Sequence, residues 1–110
     1  MEILRSEARE LIELTVVVIL TLSAADANKV GIGEAGAIPQ LVNVVTASRT
    51  IQGKADAIMA LYNLSTCARN LLPMVEAGAI RPLLMFLKGC KKSSRAAEKA
   101  AAIVESLTTL

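Results

Sequence analysis

The 110-residue chain contains no histidine and no tryptophan, and its only aromatic side chains are those of Tyr62 and Phe86. Without histidine, Cys67 and Cys90 lack the base that usually activates a thiol, and their spacing matches no metal site. With so few rings, the chain cannot stack successive bases of a single-stranded nucleic acid. We therefore expect no catalytic residue, no metal, no cofactor and no nucleic-acid partner, and interpret the cysteines as reduced thiols of an intracellular protein.

The net charge is also small, and the apolar runs are short. The net charge of +2 does not by itself indicate a nucleic-acid partner. The apolar run from Leu11 to Leu22 contains Glu13 and is shorter than the roughly 20 residues that span a membrane. Glu2 and Glu7 make the N-terminus acidic, unlike a signal peptide. We expect a cytoplasmic location, with the nucleus as a second one, and neither a membrane partner nor a small-molecule substrate.

What the chain does contain is an internal repeat. The pentapeptide at residues 34–38 recurs unchanged at residues 76–80, 42 residues later. Apolar residues follow both copies at the same helical spacing: Ile38, Leu41, Val42 and Val45, then Ile80, Leu83, Leu84 and Leu87. A period of about 40–47 residues is typical of helical solenoids. Solenoids stack their units into an extended surface that mostly binds other proteins.

A second block of the repeat predicts a long helix in each unit. Its apolar positions are Thr15, Val18, Ile19 and Leu22, then Ala57, Ala60, Leu61 and Leu64, then Ala100, Ile103, Val104 and Leu107. The last offset is 43 residues, which fits a longer connection around residues 90–93. These matches divide the chain into a partial unit at residues 1–24 and full units at residues 25–66 and 67–110.

Each full unit is predicted to contain three helices. The first covers about residues 28–35, with Asp26 or Asn28 capping its N-terminus. Gly36 can then adopt the left-handed conformation at the helix end, and Pro39 suits the first turn of the second helix. The third and longest helix covers about residues 51–66. Residues 15–20 resemble a strand in propensity, but their match to the third helix predicts a helix.

The repeat resembles the armadillo family. Residues 28–42 are similar to the junction between that family's first and second helices, and residues 57–65 to its third helix. The resemblance implies an all-α, right-handed armadillo superhelix of two full units plus part of another, and a protein partner such as a substrate or regulator. The segments EAGAI (residues 34–38) and ALYNLST (residues 60–66) are similar to the armadillo regions of plant U-box ubiquitin ligases. The chain contains no U-box, so the resemblance implies a non-catalytic scaffold.

In armadillo proteins the third helices line the concave face. In importin-α-like members, a Trp and an Asn four residues later hold an extended peptide. Asn63 matches that Asn, but Met59 stands at the Trp position, and the chain therefore lacks the full peptide ladder. The alternative role for Asn63 is a local hydrogen bond. The resemblance implies a protein-binding groove at third-helix positions outside the core stripe: Asp56, Met59, Asn63, Arg95, Lys99 and Ser106.

An alternative is a small nucleotide-binding α/β enzyme. Gly31, Gly33 and Gly36 form a G-x-G-x-x-G pattern, and Asp56 lies 20 residues after the last glycine. The dinucleotide fingerprint must directly follow a strand, whereas residues 23–30 intervene here. Since the second copy keeps only the last glycine, as Gly78, we assign only that position to the repeated design.

Two surface features remain. A basic cluster is either a solvated loop and helix start or a patch for acidic or phosphorylated partners: Lys88, Lys91, Lys92, Arg95 and Lys99. The terminal helices have apolar residues and no neighbouring unit on one side, so we expect self-association through the uncapped ends. We also expect the chain to be a piece of a longer array, although a truncated or free-standing array without a partner stays open.

Overall fold

The computed structural model of the chain describes residues 2–89 and 94–110, with side chains for residues 7–89 and 94–110. Its helices are α1 (Glu2–Ser23), α2 (Asp26–Glu34), α3 (Ala37–Ala47), α4 (Ile51–Ser65), α5 (Leu71–Glu76, preceded by a 3-10 turn at Ala68–Asn70), α6 (Ile80–Gly89) and α7 (Arg95–Thr108). No strand occurs among these residues. The predicted all-α class is confirmed, and residues 15–20 are helical.

The three long helices α1, α4 and α7 lie side by side, with α4 in the middle. Helix α4 packs against α1, α3 and α7, and α6 packs against α7 and α3. The core is almost entirely aliphatic, and its fully buried large side chains include Ile38, Leu61, Leu64, Met74 and Leu83. Burial of such side chains is the main term that favours folding. The apolar residues at the repeated positions thus pack together into one continuous core.

The predicted cap of α2 is wrong. The N-cap position is Ala25, which has no side-chain hydrogen bond to offer, and α2 begins at Asp26 instead of Asn28. The Asn28 amide instead donates to the Leu22 carbonyl at the end of α1, at 3.0 Å. Helices α4 and α7 do have side-chain caps. The Thr50 hydroxyl accepts from the amide of Gly53, and the Ser94 hydroxyl accepts from the amide of Ala97. Helix α4 ends at Ser65, one residue earlier than predicted.

The repeated glycine occupies the left-handed region in both units, as predicted. The φ angle is +88° at Gly36 and +76° at Gly78. Each residue lies between the short first helix and the second helix of its unit, where the chain turns sharply. A Cβ atom would meet no neighbour within 4 Å at either position. The need for glycine is therefore conformational and does not arise from packing.

Substitution of these glycines should destabilise the fold. We expect Gly36→Val or Gly78→Val to lower the free energy of unfolding by about 1–2 kcal/mol, because a side chain with a Cβ atom is strained at positive φ. Gly31→Ala is the matched control: Gly31 lies within α2 and has no atom within 4 Å of an added Cβ. It should leave stability unchanged or raise it by up to about 1 kcal/mol. Urea unfolding measures all three, and a Gly31→Ala loss as large as that of Gly36→Val would contradict the assignment.

Gly33 is a further structural glycine, and the sequence repeat did not predict its role. An added Cβ atom at Gly33 would collide with the side chain of Asn70, which is buried. Gly33 therefore makes room for a residue of the following unit. Gly53 is crowded as well, but by Ser48 and Thr50 of its own unit. The structural role predicted for Gly36 and Gly78 thus extends to Gly33, for a different physical reason.

Equivalent positions of the long helices form two faces. The inward face is defined by one set of equivalent positions: Thr15, Val18 and Leu22 in α1, Ala57, Ala60 and Leu64 in α4, and Ala100, Ile103 and Leu107 in α7. It is buried in α4 and α7, yet exposed in α1. Helix α4 packs on α2 and α3, and α7 packs on α5 and α6. Among the described residues, no helix covers this face of α1.

The opposite pattern holds for the forward face, which points to the next unit. Its members are Val16, Ile19 and Ser23 in α1, Ile58, Leu61 and Ser65 in α4, and Ala101, Val104 and Thr108 in α7. They are buried or half-buried in α1 and α4, whereas in α7 Ala101 and Thr108 are exposed. The two patterns together show that the helices stack in one direction, from α1 through α4 to α7.

Candidate protein-binding surface

The predicted groove residues of α4 lie on the side that meets α1. Asp56, Met59 and Asn63 are half-buried and are spaced at three and four residues, so they form one face of the helix. The Asn63 amide donates to the Ser23 hydroxyl at 3.2 Å and to the Leu20 carbonyl at 3.4 Å. This amide therefore links α4 to the end of α1, and its contact is between helices instead of local.

The corresponding residues of α7 meet α4. The Lys99 ammonium lies 4.2 Å from the centroid of the Tyr62 ring, a distance at which a cation is attracted to the ring face. Arg95, one helical turn earlier, is exposed, and Ser106 is half-buried. Lys99 and Ser106 are the equivalents of Asp56 and Asn63, 43 residues later. This contact of Tyr62 was not predicted, because an aromatic residue in a helical repeat is usually interpreted as part of the hydrophobic core.

Acidic residues of α1 border the same surface. A cleft of about 510 Å³ lies between α1 and the N-terminal half of α4, and its lining includes Glu10, Glu13, Val17 and Asp56. The helical spacing of Glu10 and Glu13 predicts a solvated helix face, and both residues are exposed. The equivalent positions of α4 are Gln52 and Ala55, which carry no charge. The surface thus carries carboxylates on the α1 side and cations on the α7 side.

A buried polar cluster joins the two full units. The Asn70 amide donates to the carbonyls of Lys29 and Leu64, each at 3.0 Å. The Lys29 ammonium, also mostly buried, donates to the Thr66 hydroxyl at 2.7 Å and pairs with Asp26 at 2.9 Å. The hydrogen bond and positive charge of Lys29 hold the pKa of the Asp26 carboxyl below its ordinary value. The cluster fixes the turn between α4 and the next unit.

Its geometry repeats along the chain. Asn28 donates to the carbonyl of Leu22 and Asn70 to that of Leu64, both six residues earlier and both at 3.0 Å. Only Asn70 has the additional bond to the preceding unit, through Lys29. The Asn residues matched by the sequence repeat therefore perform the same local role in two environments.

The remaining sequence candidates find less support. Gly31 and Gly33 lie inside α2, and a helix, α1, precedes them instead of a strand. Nothing supports the nucleotide-binding alternative. Of the two cysteines, Cys67 is half-buried and free. Cys90, together with Lys91 and Lys92 of the basic cluster, lies outside the described residues.

No single helix in the described ranges has both the length and the apolar character of a membrane span. By length and composition alone, the bent pair Ala68–Glu76 and Ile80–Gly89, with an angle of 85°, meets the criterion jointly. Both halves contribute fully buried core residues, Met74 and Leu83.

No protein-family model matches the chain, and no solved structure matches it. It is 39% identical over 84 residues to U-box domain-containing protein 12 of Arabidopsis thaliana, which covers 76% of this chain and 12% of that protein. It is also 39% identical over 64 residues to U-box domain-containing protein 7 of the same plant, covering 58% and 8%. The chain thus spans a small part of these relatives. Over most of its own length, it is similar to a segment of plant U-box domain-containing proteins.

Proposed function

We propose that the chain is an armadillo-type, right-handed superhelix and serves as a protein-binding module. Its units are residues 1–24, 25–66 and 67–110. The stacking of α1, α4 and α7 in one direction supports this architecture, and so does the left-handed glycine at the same place in both full units. Two helical units, of 42 and 44 residues, with one shared core are what a solenoid requires.

The observation that carries the binding role is the surface formed by α4 and α7. Asp56 and Asn63 align with Lys99 and Ser106 one unit later, so a ligand that runs across both helices meets equivalent positions in register. The carboxylates beside α1 and the cations on α7 suit an extended protein segment of opposite polarity, basic at one end and acidic at the other. Arg95 and Lys99 would meet the acidic end.

The parent protein is, in this proposal, a plant U-box-type ubiquitin ligase or a relative of it. The similarity to two U-box domain-containing proteins supports this placement. This segment would recognise a substrate or regulator and have no catalytic role of its own. The proposed location is the cytoplasm, with the nucleus as a second one.

Peptide selection tests the binding surface. A phage-displayed library of random 16-residue peptides is panned on the chain, and the selected peptides are titrated into ¹⁵N-labelled protein. We expect shifts to concentrate at Asp56, Met59, Asn63, Lys99 and Ser106. Double charge reversal by Arg95→Glu and Lys99→Glu should weaken a peptide with an acidic end by about tenfold or more, since both cations face that end.

The control substitution lies on another surface. Met85 is 63% exposed on α6 and lines a cleft with Ile51 and Lys54. These two residues lie on the side of α4 opposite Asp56 and Asn63, so Met85→Glu should leave peptide affinity unchanged. Shifts confined to Val44, Val45, Met85 and Phe86 would contradict the proposal, as would peptides that bind the double charge-reversal variant as tightly as the original chain.

A further inference from the structure

The open inward face of α1 continues as an apolar seam. Leu11, Thr15, Val18 and Leu22 follow one another at spacings of four, three and four residues, which places them on one side of the helix. Their apolar members are 65%, 47% and 49% exposed, respectively, and Leu14 beside them is 60% exposed. The α4 equivalents of Thr15, Val18 and Leu22 are fully buried, at Ala57, Ala60 and Leu64, so the repeated design places helices against this face.

The seam can be covered without leaving polar groups unpaired. The Thr15 hydroxyl donates to the Leu11 carbonyl at 2.8 Å, and the neighbouring Thr21 hydroxyl donates to the Val17 carbonyl at 2.9 Å. Both donors are satisfied inside α1. Burying them against another apolar surface therefore avoids the cost of an unmade hydrogen bond.

We propose that this seam binds the same seam of a second copy of the chain, with the two α1 helices antiparallel about a twofold axis between Thr15 and Val18. In this arrangement Leu11 contacts the partner's Leu22 at each end, and Val18 lies near the axis. The exposed apolar patch is on the order of 500 Å² per copy. Two copies would thus bury about 1,000 Å², the lower limit of a specific interface, which predicts a weak, concentration-dependent dimer.

The charges of α1 select the antiparallel orientation. Glu7 is exposed and lies one helical turn before Leu11 on the seam side, whereas residues 14–23 carry no ionisable side chain. A parallel pair would place the two Glu7 carboxylates side by side. The antiparallel pair separates them by about 28 Å along the axis, at 1.5 Å per residue. The dimer goes beyond the proposed peptide-binding role, because it uses α1 and leaves Lys99 and Ser106 of α7 uncovered.

Sedimentation velocity between about 10 µM and 1 mM tests the association. We expect a monomer–dimer equilibrium that Val18→Glu shifts at least tenfold toward monomer, with an unchanged helical circular dichroism spectrum. Thr15→Lys, on the exposed seam, is the second variant should Val18→Glu unfold. Met85→Glu, on the exposed side of α6, should leave the equilibrium unchanged. A strict monomer at 1 mM would overturn the proposal and assign the seam to helices of a longer chain.

Cysteine cross-linking tests the orientation, in a chain with Cys67→Ser and Cys90→Ser, with glutathione disulfide as oxidant. Val18→Cys, near the axis, should form a covalent dimer. Leu11→Cys alone should not, since its two copies lie about 16 Å apart along the axis, whereas a mixture of Leu11→Cys and Leu22→Cys chains should cross-link. Cross-linking of Leu11→Cys alone would show a parallel pair and overturn the antiparallel geometry, and a dimer that Val18→Glu leaves intact would overturn the seam.

Discussion

Leu64→Ala should lower the free energy of unfolding by about 3 kcal/mol, within the range of roughly 2–5 kcal/mol measured for buried leucines. The Leu64 side chain is 0% exposed and lies in the core between α4 and the short helices of its unit. In a domain of this size, that loss corresponds to a fall of roughly 12–20 °C in the midpoint of thermal unfolding. Thermal and urea unfolding, monitored by circular dichroism, measure it.

The chain offers a matched control for this substitution in Leu22. Leu22 is the same residue type at the equivalent repeat position, but it is 49% exposed. Leu22→Ala should therefore cost about 1 kcal/mol or less. Both variants are measured at about 5 µM, where the proposed α1 dimer is dissociated. Equal losses at the two positions would show that the inward face of α1 is covered, contrary to the structure.

Asn70→Ala should lower the free energy of unfolding by about 2 kcal/mol, because it removes two buried hydrogen bonds and leaves their carbonyl acceptors without that donor. These bonds tie the end of α4 to α2 through the carbonyls of Leu64 and Lys29. Asn28→Ala is the control, since Asn28 is exposed and has only the bond to Leu22. It should cost about 0.5 kcal/mol. A loss for Asn28→Ala as large as that for Asn70→Ala would contradict the inter-unit role.

A double-mutant cycle sharpens this test. Gly33→Ala alone should be destabilising, because the new methyl group meets the Asn70 side chain. In the Asn70→Ala background that side chain is absent, so Gly33→Ala should be neutral or stabilising within α2. We expect a coupling free energy of about 1 kcal/mol or more between the two sites. Additive losses would show that Gly33 and Asn70 do not contact each other.

The repeat in the sequence predicted the elements well, because local chemistry decides them. The positive φ of Gly36 and Gly78 follows from the need to turn between two helices, and only glycine adopts that conformation without strain. The helical state of residues 15–20 followed from their match to α4, against their strand propensity. The start of α2 was wrong because the Asn28 side chain, which could have been a cap, bonds backward to Leu22.

The candidate binding surface was predictable only in part. The spacing of Asp56, Met59 and Asn63 placed them on one helix face, as the structure has them. The carboxylates of Glu10 and Glu13 reach the same surface because α1 packs beside α4, and the Tyr62 ring receives Lys99 because α7 does. These contacts join residues about 40 residues apart, and helical spacing within one segment does not reveal them.

The sequence by itself determined the repeating unit, its helices and the glycine between them, since each depends on side chains a few residues apart. Only the tertiary structure decided which equivalent residues are buried. Leu22 and Leu64 are identical in type and in repeat position, as are Asn28 and Asn70, yet the second of each pair is buried and the first is exposed. The physical reason is that burial in a stack depends on which neighbours lie against each face, and the described part of the chain covers α1 on one side only.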